Sequence, residues 1–569
     1  MFRVPPFLQD RQRIAGSDVS LVQSANYERF GQDVVAGITV AAVCLPLALA
    51  YGIAGGMAAA AGLVTAIVAG IITGAFGGTS YQISGPTGAM SAVLLVILHR
   101  HGIVGVYGAT LLGGVFLVAM GLLRIGRYIV YIPTPVITRF TCGIAVIIAI
   151  SQLDPMLGVH TPSADTGIGK LYGYATQPYA VNATAVACTV ATVCILWVAK
   201  KYLPRVPDAL AAMAVTTAIA WGFTLPIARI GVLPHTILLA EHLSFGSFPW
   251  AAFSDVSSAG VTIAVLAAIE SLMTGTAGAT MSGKPFDPDQ ELLAQGAANI
   301  AVPWFGGVPS SAAISRTAVA IRSGAQTRLT SIIHALVLLA CVFLMGPAIA
   351  AVPMASLAGV LLWTAWNMCD WQLLRRYWHA KLTHPWVGVL VTLGATMVVD
   401  VTQAIVIGIL VSAGVHLRNA AESATVSVRP VDGTRMPSAH LASTCPGVRV
   451  ASINGALFFG NASAIQNDLR QDKDCHTLVI SMRGVPSIDM QAADVLHGVI
   501  RLIIALDGVV YIAGVQPAVR RVLDRVGITR DIGETQYCWD ATSAIQRIHD
   551  DIAAHGCFRC AESVHHVAH

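Results

Sequence analysis

Charge is what this sequence is short of. Of 569 residues only 11% are Asp, Glu, Lys or Arg, where a soluble chain carries about 25%. With 55% hydrophobic residues as well, an ordinary soluble enzyme is excluded and a bilayer is the main solvent expected. No basic run interleaved with aromatics occurs and the net charge is only +4, so nucleic acid is not an expected partner. There is no phosphate-binding glycine loop, catalytic triad or metal constellation, so no catalytic residue, metal or cofactor is expected. The first 30 residues are polar, carry Arg3, Arg11, Arg13 and Arg29, and lack a signal peptide's short apolar core. The first membrane helix is therefore the expected insertion signal. Eleven cysteines are scattered along the chain. Six of them (Cys44, Cys142, Cys188, Cys194, Cys341 and Cys369) stand in apolar segments and read as buried free thiols. Cys557 and Cys560, with His565, His566 and His569, read as part of a disordered tail rather than a zinc site.

Apolar stretches run from about Val34 to Leu417, and charges return after Ala424. The expected division is a cytoplasmic segment (1–30), a transmembrane domain (31–422), a small cytoplasmic domain (423–555) and a tail (556–569). At about 20 apolar residues per crossing, the membrane part reads as about fourteen spans, the last two centred near residues 392 and 410. Two are poor spans: Ser84–Leu98 and Ser310–Ile321 are short and opened by Gly, Pro and Ser. With both ends inside, cytoplasmic connections hold Arg124, Arg127, Lys200, Lys201, Arg205, Lys284, Arg322, Arg328, Arg375, Arg376 and Lys381. The outer loops hold only Arg100, Lys170 and Arg229. That asymmetry favours an even number of spans with cytoplasmic termini, and the expected location is a bacterial-type inner (plasma) membrane.

An internal repeat is visible. Ala36-Gly-Ile-Thr-Val-Ala41 returns as Ala259-Gly-Val-Thr-Ile-Ala264, and Phe76-Gly-Gly78 as Phe305-Gly-Gly307. The offset covers seven spans, an odd number, so the second copy is inverted. Each FGG is soon followed by one of the two short segments, and interrupted spans at matching places mark the binding site of such transporters. A half-helix starting in mid-membrane leaves its first N–H groups unpaired and carries roughly half a positive charge there. Two such tips face to face make an anion site. The first is expected to open at Ser84-Gly-Pro-Thr-Gly-Ala89, with Pro86 at an early helical position. The second is expected at Ser310-Ser-Ala-Ala-Ile-Ser315. The bland alternative is that small residues there merely allow close helix packing.

Two charges stand in apolar surroundings, where function is the default reading. Glu270 either carries a coupling proton or neutralises Arg316, and the two roles are compatible. Arg316, in the second short segment, adds positive field for an anion or serves that pair alone. Arg139 reads as snorkelling to the interface. Asp33, Asp370 and Asp400 read as solvated or capping.

These residues resemble the SulP (solute carrier 26) anion transporters. The resemblance rests on Asp33-Val-Val-Ala-Gly-Ile-Thr-Val-Ala-Ala with Pro46 and Ala50-Tyr51, and on Gln82-Ile-Ser-Gly-Pro-Thr-Gly88. It extends to Asp289-Gln-Glu-Leu-Leu-Ala-Gln-Gly296 with Asn299, Ser315-Arg-Thr-Ala318 and Ser323-Gly-Ala-Gln-Thr327. It implies an α-helical membrane protein with a seven-plus-seven inverted repeat, core and gate domains, an elevator-like motion and a homodimer. Carried over by position, the substrate site comprises Leu47, Ser84, Gly85, Thr87, Gly88, Ala89, Ala312, Ala313, Ile314, Ser315 and Arg316. Glu270 is the proton-coupling residue, with Thr274 as its neighbour. Three departures stand out. Many members have Gln where this chain has Leu47. The sodium-coupled bicarbonate branch has Asp at the place of Glu270 and Gly at that of Arg316, so a proton is expected here rather than sodium. Arg139 stands where relatives commonly have Gly.

From about residue 425, strand and helix signals alternate. Val448–Phe459, with a hairpin at Asn454-Gly455, Thr477–Met482 and Val509–Ala513 read as strands. Ala462–Leu469, Asp489–Leu506 (Asp489 as cap) and Pro517–Val526 read as helices. This small α/β domain resembles the STAS domain of SulP proteins, with Met490 where phosphorylated relatives have Ser. A scaffold and dimer contact is its expected role. The whole chain reads as a proton-coupled symporter of a small anion, sulfate or bicarbonate first and a C4-dicarboxylate second. An uncoupled anion channel or exchanger and a STAS-linked anion sensor are the alternatives.

Overall fold

The computed structural model describes residues 27–555, except 132–133, 162–166, 177–178, 204–205, 232–235, 245, 247, 370, 380–389, 391–393, 395–410, 412–413, 416, 432–446 and 471–475. Asp370, Asp400, the Cys/His tail and the centres of the last two expected spans lie outside the described residues, as does the side chain of Arg139. The chain divides into two compact units, Met1–Ile409 and Leu410–His569.

The first unit is helical. In chain order it contains α1 (Tyr27–Ala54), α2 (Ala59–Phe76), the short strand β1 (Ser84–Gly85), α3 (Gly88–Leu122), α4 (Thr134–Ser151), α5 (Leu153–Leu157), α6 (Gly167–Thr176), α7 (Ala183–Tyr202) and α8 (Asp208–Gly222). The second half contributes α9 (Phe253–Ser282), α10 (Pro288–Ala301), β2 (Ser311–Ala312), α11 (Ile314–Arg322), α12 (Leu329–Ala350), α13 (Met354–Met368) and α14 (Trp371–His379). Six described helices are long and apolar enough to cross a membrane. One of them, α3, joins two expected spans. Gly102 breaks it with φ 66° and ψ −173°, a conformation that glycine adopts at little cost.

Two groups of helices emerge from the packing. In one, α3 lies along α9 and α10, and α12 along α1 and α2, so both halves of the repeat interleave. In the other, α13 lies along α7 and α4. Small residues permit the close crossings: a Cβ on Gly62 would come 1.9 Å from Ala48 O, where α2 meets α1. The thiol expectation is corrected here. Cys142 and Cys369 form a disulfide joining α4 to the end of α13, and Cys194 is exposed. The geometry of the packing, with Cα atoms 4.8 Å apart, lets a bond form that composition alone does not reveal.

Asp33 is not solvated. It is fully buried and caps the turn that leads into α12. Its carboxylate accepts from Gln326 N–H (2.7 Å), Thr327 N–H (3.0 Å), Thr327 Oγ1 (2.5 Å) and Thr330 Oγ1 (2.7 Å).

The second unit is a five-stranded sheet in the order β3 (Thr425–Pro430), β4 (Val448–Asn454), β5 (Thr477–Gly484), β6 (Val509–Ala513), β7 (Tyr537–Cys538). Only β3 is antiparallel to its neighbour. Its helices are α15 (Ala462–Arg470), α16 (Met490–Ala505), α17 (Pro517–Val526), α18 (Ile528–Ile532) and α19 (Ala541–His555). Asp489 caps α16 through Ala492 N–H at 2.8 Å. The expected hairpin at Asn454-Gly455 is absent: β4 ends there, and Leu457 bridges in parallel to Ile488. Gly455, at φ 99°, turns the chain out of the sheet without folding it back.

Candidate functional site

The break in each half of the membrane unit is built the same way twice. The last glycine of each FGG triplet presses on the opposite repeat. A Cβ on Gly78 would lie 2.0 Å from Asp287 O, and one on Gly307 would lie 2.8 Å from Thr65 Oγ1. Gly78 N–H donates to Glu291 (2.9 Å) and Val308 N–H to Thr65 Oγ1 (2.6 Å). The two arms then meet. Ser84 pairs with Ala312 and Gly85 with Ser311 in an antiparallel ladder, extended by Ala313 N–H to Ile83 O at 3.3 Å. Beyond the ladder, α3 starts at Gly88 behind its N-cap Thr87, and α11 starts at Ile314 behind Ala313. Two helix N-termini thus issue from one two-stranded ladder.

This shifts both expected helix openings. Ser84 and Ser310 do not start helices, because the backbone around them is spent on the ladder. Pro86 lies before the N-cap rather than in the first turn, and its carbonyl accepts from Arg316 Nη2 at 2.6 Å.

Glu270, on α9, sits between the tips. Thr87 Oγ1 donates to it at 2.8 Å, Ser311 Oγ donates to the same carboxylate oxygen, and the two hydroxyls are 3.1 Å apart. Arg316 is 1% exposed, and its Cζ lies 5.7 Å from the centre of the Tyr51 ring. Its Nη1 has no hydrogen-bond partner among the described residues. Leaving a buried charged donor unmatched costs about 1–3 kcal/mol or more, so this nitrogen is poised for an acceptor. The expected direct Glu270–Arg316 pair is not made: Glu270 bonds a hydroxyl from each arm, and Arg316 reaches across to the Pro86 carbonyl of the first arm.

The other expected residues divide by what they touch. Thr274 Oγ1 donates to Ala312 O (3.3 Å) and Ser271 Oγ accepts from Ala312 N–H (3.1 Å), so the polar groups of Ala312 are occupied and it positions rather than binds. Ser84 Oγ accepts from Gln295 at 2.6 Å. A Cβ on Gly85 would stand 2.7 Å from Arg316 Nη1, and one on Gly88 would stand 2.5 Å from Ile148 Cδ1 and 3.3 Å from the Tyr51 ring. Ala89 is fully buried and Leu47 nearly so, on α1 one residue past Pro46. Ala313 is half-buried, while Ile314 and Ser315 are exposed, so the cradle opens at the second tip.

Several residues escape the sequence reading. Ser311 touches both Thr87 and Glu270, yet only its neighbours from Ala312 onward stand among the expected ligands. The signal was available: if two inverted arms pair, Gly85 must face a residue of the second arm. Glu291, Gln295 and Asn299 lie four apart on one buried face of α10. They bond Gly78, Ser84 and, from Asn299 Nδ2, Ser310 O at 3.0 Å. That polar row is one helix stripe fastening both arms.

A polytopic helical unit with two half-helix tips, a buried cation and a carboxylate between them defines a membrane carrier of small anions. The chain belongs to the sulfate permease family, whose model matches residues 30–392, and it carries a STAS domain matched over residues 441–542. It is therefore a multi-pass membrane protein of a family of transporters, not enzymes. It is 31% identical over 522 residues to a putative sulfate transporter, YvdB, of Bacillus subtilis, covering 90% of this chain and 96% of that one. It is 28% identical over 539 residues to the bicarbonate transporter BicA of Picosynechococcus, covering 90% and 94%. The fold matches that of the murine Slc26a9 anion transporter with a TM-score of 0.84 at 15% identity, covering 97% and 96% of the two chains. The transmembrane domain of a cyanobacterial BicA matches with a TM-score of 0.60 at 28% identity, covering 68% of this chain and 98% of that domain.

Proposed function

We propose that this chain is a secondary active transporter that carries a small inorganic anion of the sulfate or bicarbonate type in symport with a proton. One observation carries the reading: a single carboxylate, Glu270, accepts from hydroxyls on both tips, Thr87 and Ser311, while Arg316 Nη1 meets no acceptor among the described residues. The tips and Arg316 attract the anion. A proton on Glu270 removes the one negative charge that opposes it. Arg316 beside the same site disfavours sodium as the coupling ion. The anion is held at Gly85, Thr87, Gly88, Ala89 and Ala313–Arg316, against Leu47. The helix group that holds both tips then moves as an elevator against the α4–α8 and α13 group. The unit works as a homodimer in an inner (plasma) membrane with both termini cytoplasmic, and the STAS domain is a scaffold. A C4-dicarboxylate is the second reading, favoured by the open side at Ile314 and Ser315.

The test is uptake into proteoliposomes with labelled sulfate, bicarbonate, fumarate, succinate and chloride. An inward proton gradient is expected to raise uptake of one oxyanion. Glu270→Gln is expected to abolish that stimulation while the protein stays folded. Stimulation that persists in the variant would reject the role of Glu270, and uptake that requires a trans anion would favour an exchanger.

A further inference from the structure

The membrane unit contains a cavity of about 600 Å³ apart from the paired tips. Its walls come from the α1–α2 turn, the first half of α3, the α5–α6 region, the start of α7 and the segment entering α13. With both termini cytoplasmic, as proposed above, these lie on the outer face. Its charge is one-sided. Lys170 and Arg229 line it, with His99 and His160, and Asp154 is the only acidic residue among the described lining residues. That carboxylate is already committed: Lys170 Nζ lies 3.0 Å away, Thr161 donates at 2.9 Å, and Tyr174 donates as well. Arg229 makes no ion pair among the described residues.

Arg229 is also fixed in place. It bridges to Pro353 in antiparallel fashion, Ile230 N–H donates to Val352 O (3.0 Å), and Met354 N–H donates to Ala228 O (2.9 Å). Pro353 is the N-cap of α13, so the backbone of Arg229 is held beside a helix N-terminus. Helix α2 begins at the same wall. Neither N-cap, Pro353 or Ala58, supplies a side-chain hydrogen bond, so the positive ends of both helices add to Arg229. The chamber also adjoins the central site. Ile53 and Ala54 line it, and Tyr51, beside Arg316, lies only about 5 Å back along α1.

We infer that this cavity is a second anion site, a staging chamber that takes the same small oxyanion or carboxylate before it reaches the paired tips. This rests on the anion-carrier reading above. The inference is tested by equilibrium binding of radiolabelled sulfate to the purified full chain in lipid-free detergent, which separates a dissolved anion from a lipid headgroup. Binding is expected to survive Arg316→Gln, to be lost when Arg229→Glu is added, to weaken about tenfold as inert salt is raised, and to be retained in Arg229→Lys. In uptake assays Arg229→Glu is expected to raise KM about fivefold with kcat unchanged. Binding that disappears with Arg316→Gln and is untouched by Arg229→Glu overturns the chamber and leaves the central site standing. Binding that survives Arg316→Gln and vanishes with Arg229→Glu supports the chamber even where uptake refutes the central reading.

Discussion

At the scale of the residue, the site turns on atoms that have too little or too much to bond. Gly85 leaves the space that Arg316 Nη1 occupies. Gly85→Ala puts a methyl 2.7 Å from that nitrogen and must displace the guanidinium, because the Ala66 backbone lies close on another side. Uptake is expected to fall about tenfold or more in labelled-anion assays, about 1.4 kcal/mol or more of lost transition-state stabilisation, with thermal stability near that of wild type. Asp33 is the opposite case, a buried carboxylate with every bond satisfied. Asp33→Ala strands two backbone N–H groups and two hydroxyls, and is expected to cost about 3 kcal/mol, read as a lowered melting temperature in detergent. Both positions were visible in the sequence for partial reasons. Gly85 stands among the substrate residues that the resemblance implies, whereas the neighbour its missing side chain makes room for is Arg316. Asp33 read as capping or solvated. What it caps is a turn nearly 300 residues away, which no local pattern carries.

At the scale of the element, the inverted repeat was legible because glycine is demanding. Two FGG triplets recur at nearly one offset since each must let its backbone touch the other repeat. The helix openings were less legible. Ser84-Gly-Pro-Thr reads locally as a helix start, and only a partner strand far along the chain converts Ser84 and Gly85 into ladder. The break in α3 has a similar logic: Gly102 sits in open space with positive φ. Gly102→Ala meets no neighbour, so its cost is backbone strain alone, expected at about 1 kcal/mol. A thermal melt of that variant in detergent checks the figure. A loss several times larger would mean that the break has packing partners as well. The Cys142–Cys369 bond lay outside any reading by element, since each thiol stands alone in an apolar stretch.

At the scale of the whole molecule, the change of composition places a boundary near residue 422, whereas the contacts divide the chain at Ile409 and Leu410. The water-exposed unit answers to pH through α16 and α18. Asp531 accepts from Arg501 Nε (2.7 Å) and pairs with His497 Nε2 (2.8 Å). Hydrogen bonds from Arg501 first, and then His497, pull its carboxyl down from 3.8 to about 2. A depressed carboxyl stabilises the fold above its unfolded value and loses that contribution as the pH falls through the folded one. The difference in stability between wild type and Asp531→Asn is therefore expected to be full above 3.8 and to vanish as the pH approaches 2. Hydrogen exchange in α16 and α18 measures it, and a difference that does not change with pH would refute the linkage.

The ladder between Ser84–Gly85 and Ser311–Ala312 is closed by main-chain atoms, which every amino acid except proline supplies alike. The ladder itself is therefore indifferent to which side chains, proline apart, ride on it. Exchange of Thr87, Glu270 or Arg316 leaves these main-chain bonds in place. Variety of freight on a constant chassis is the outcome such a joint permits.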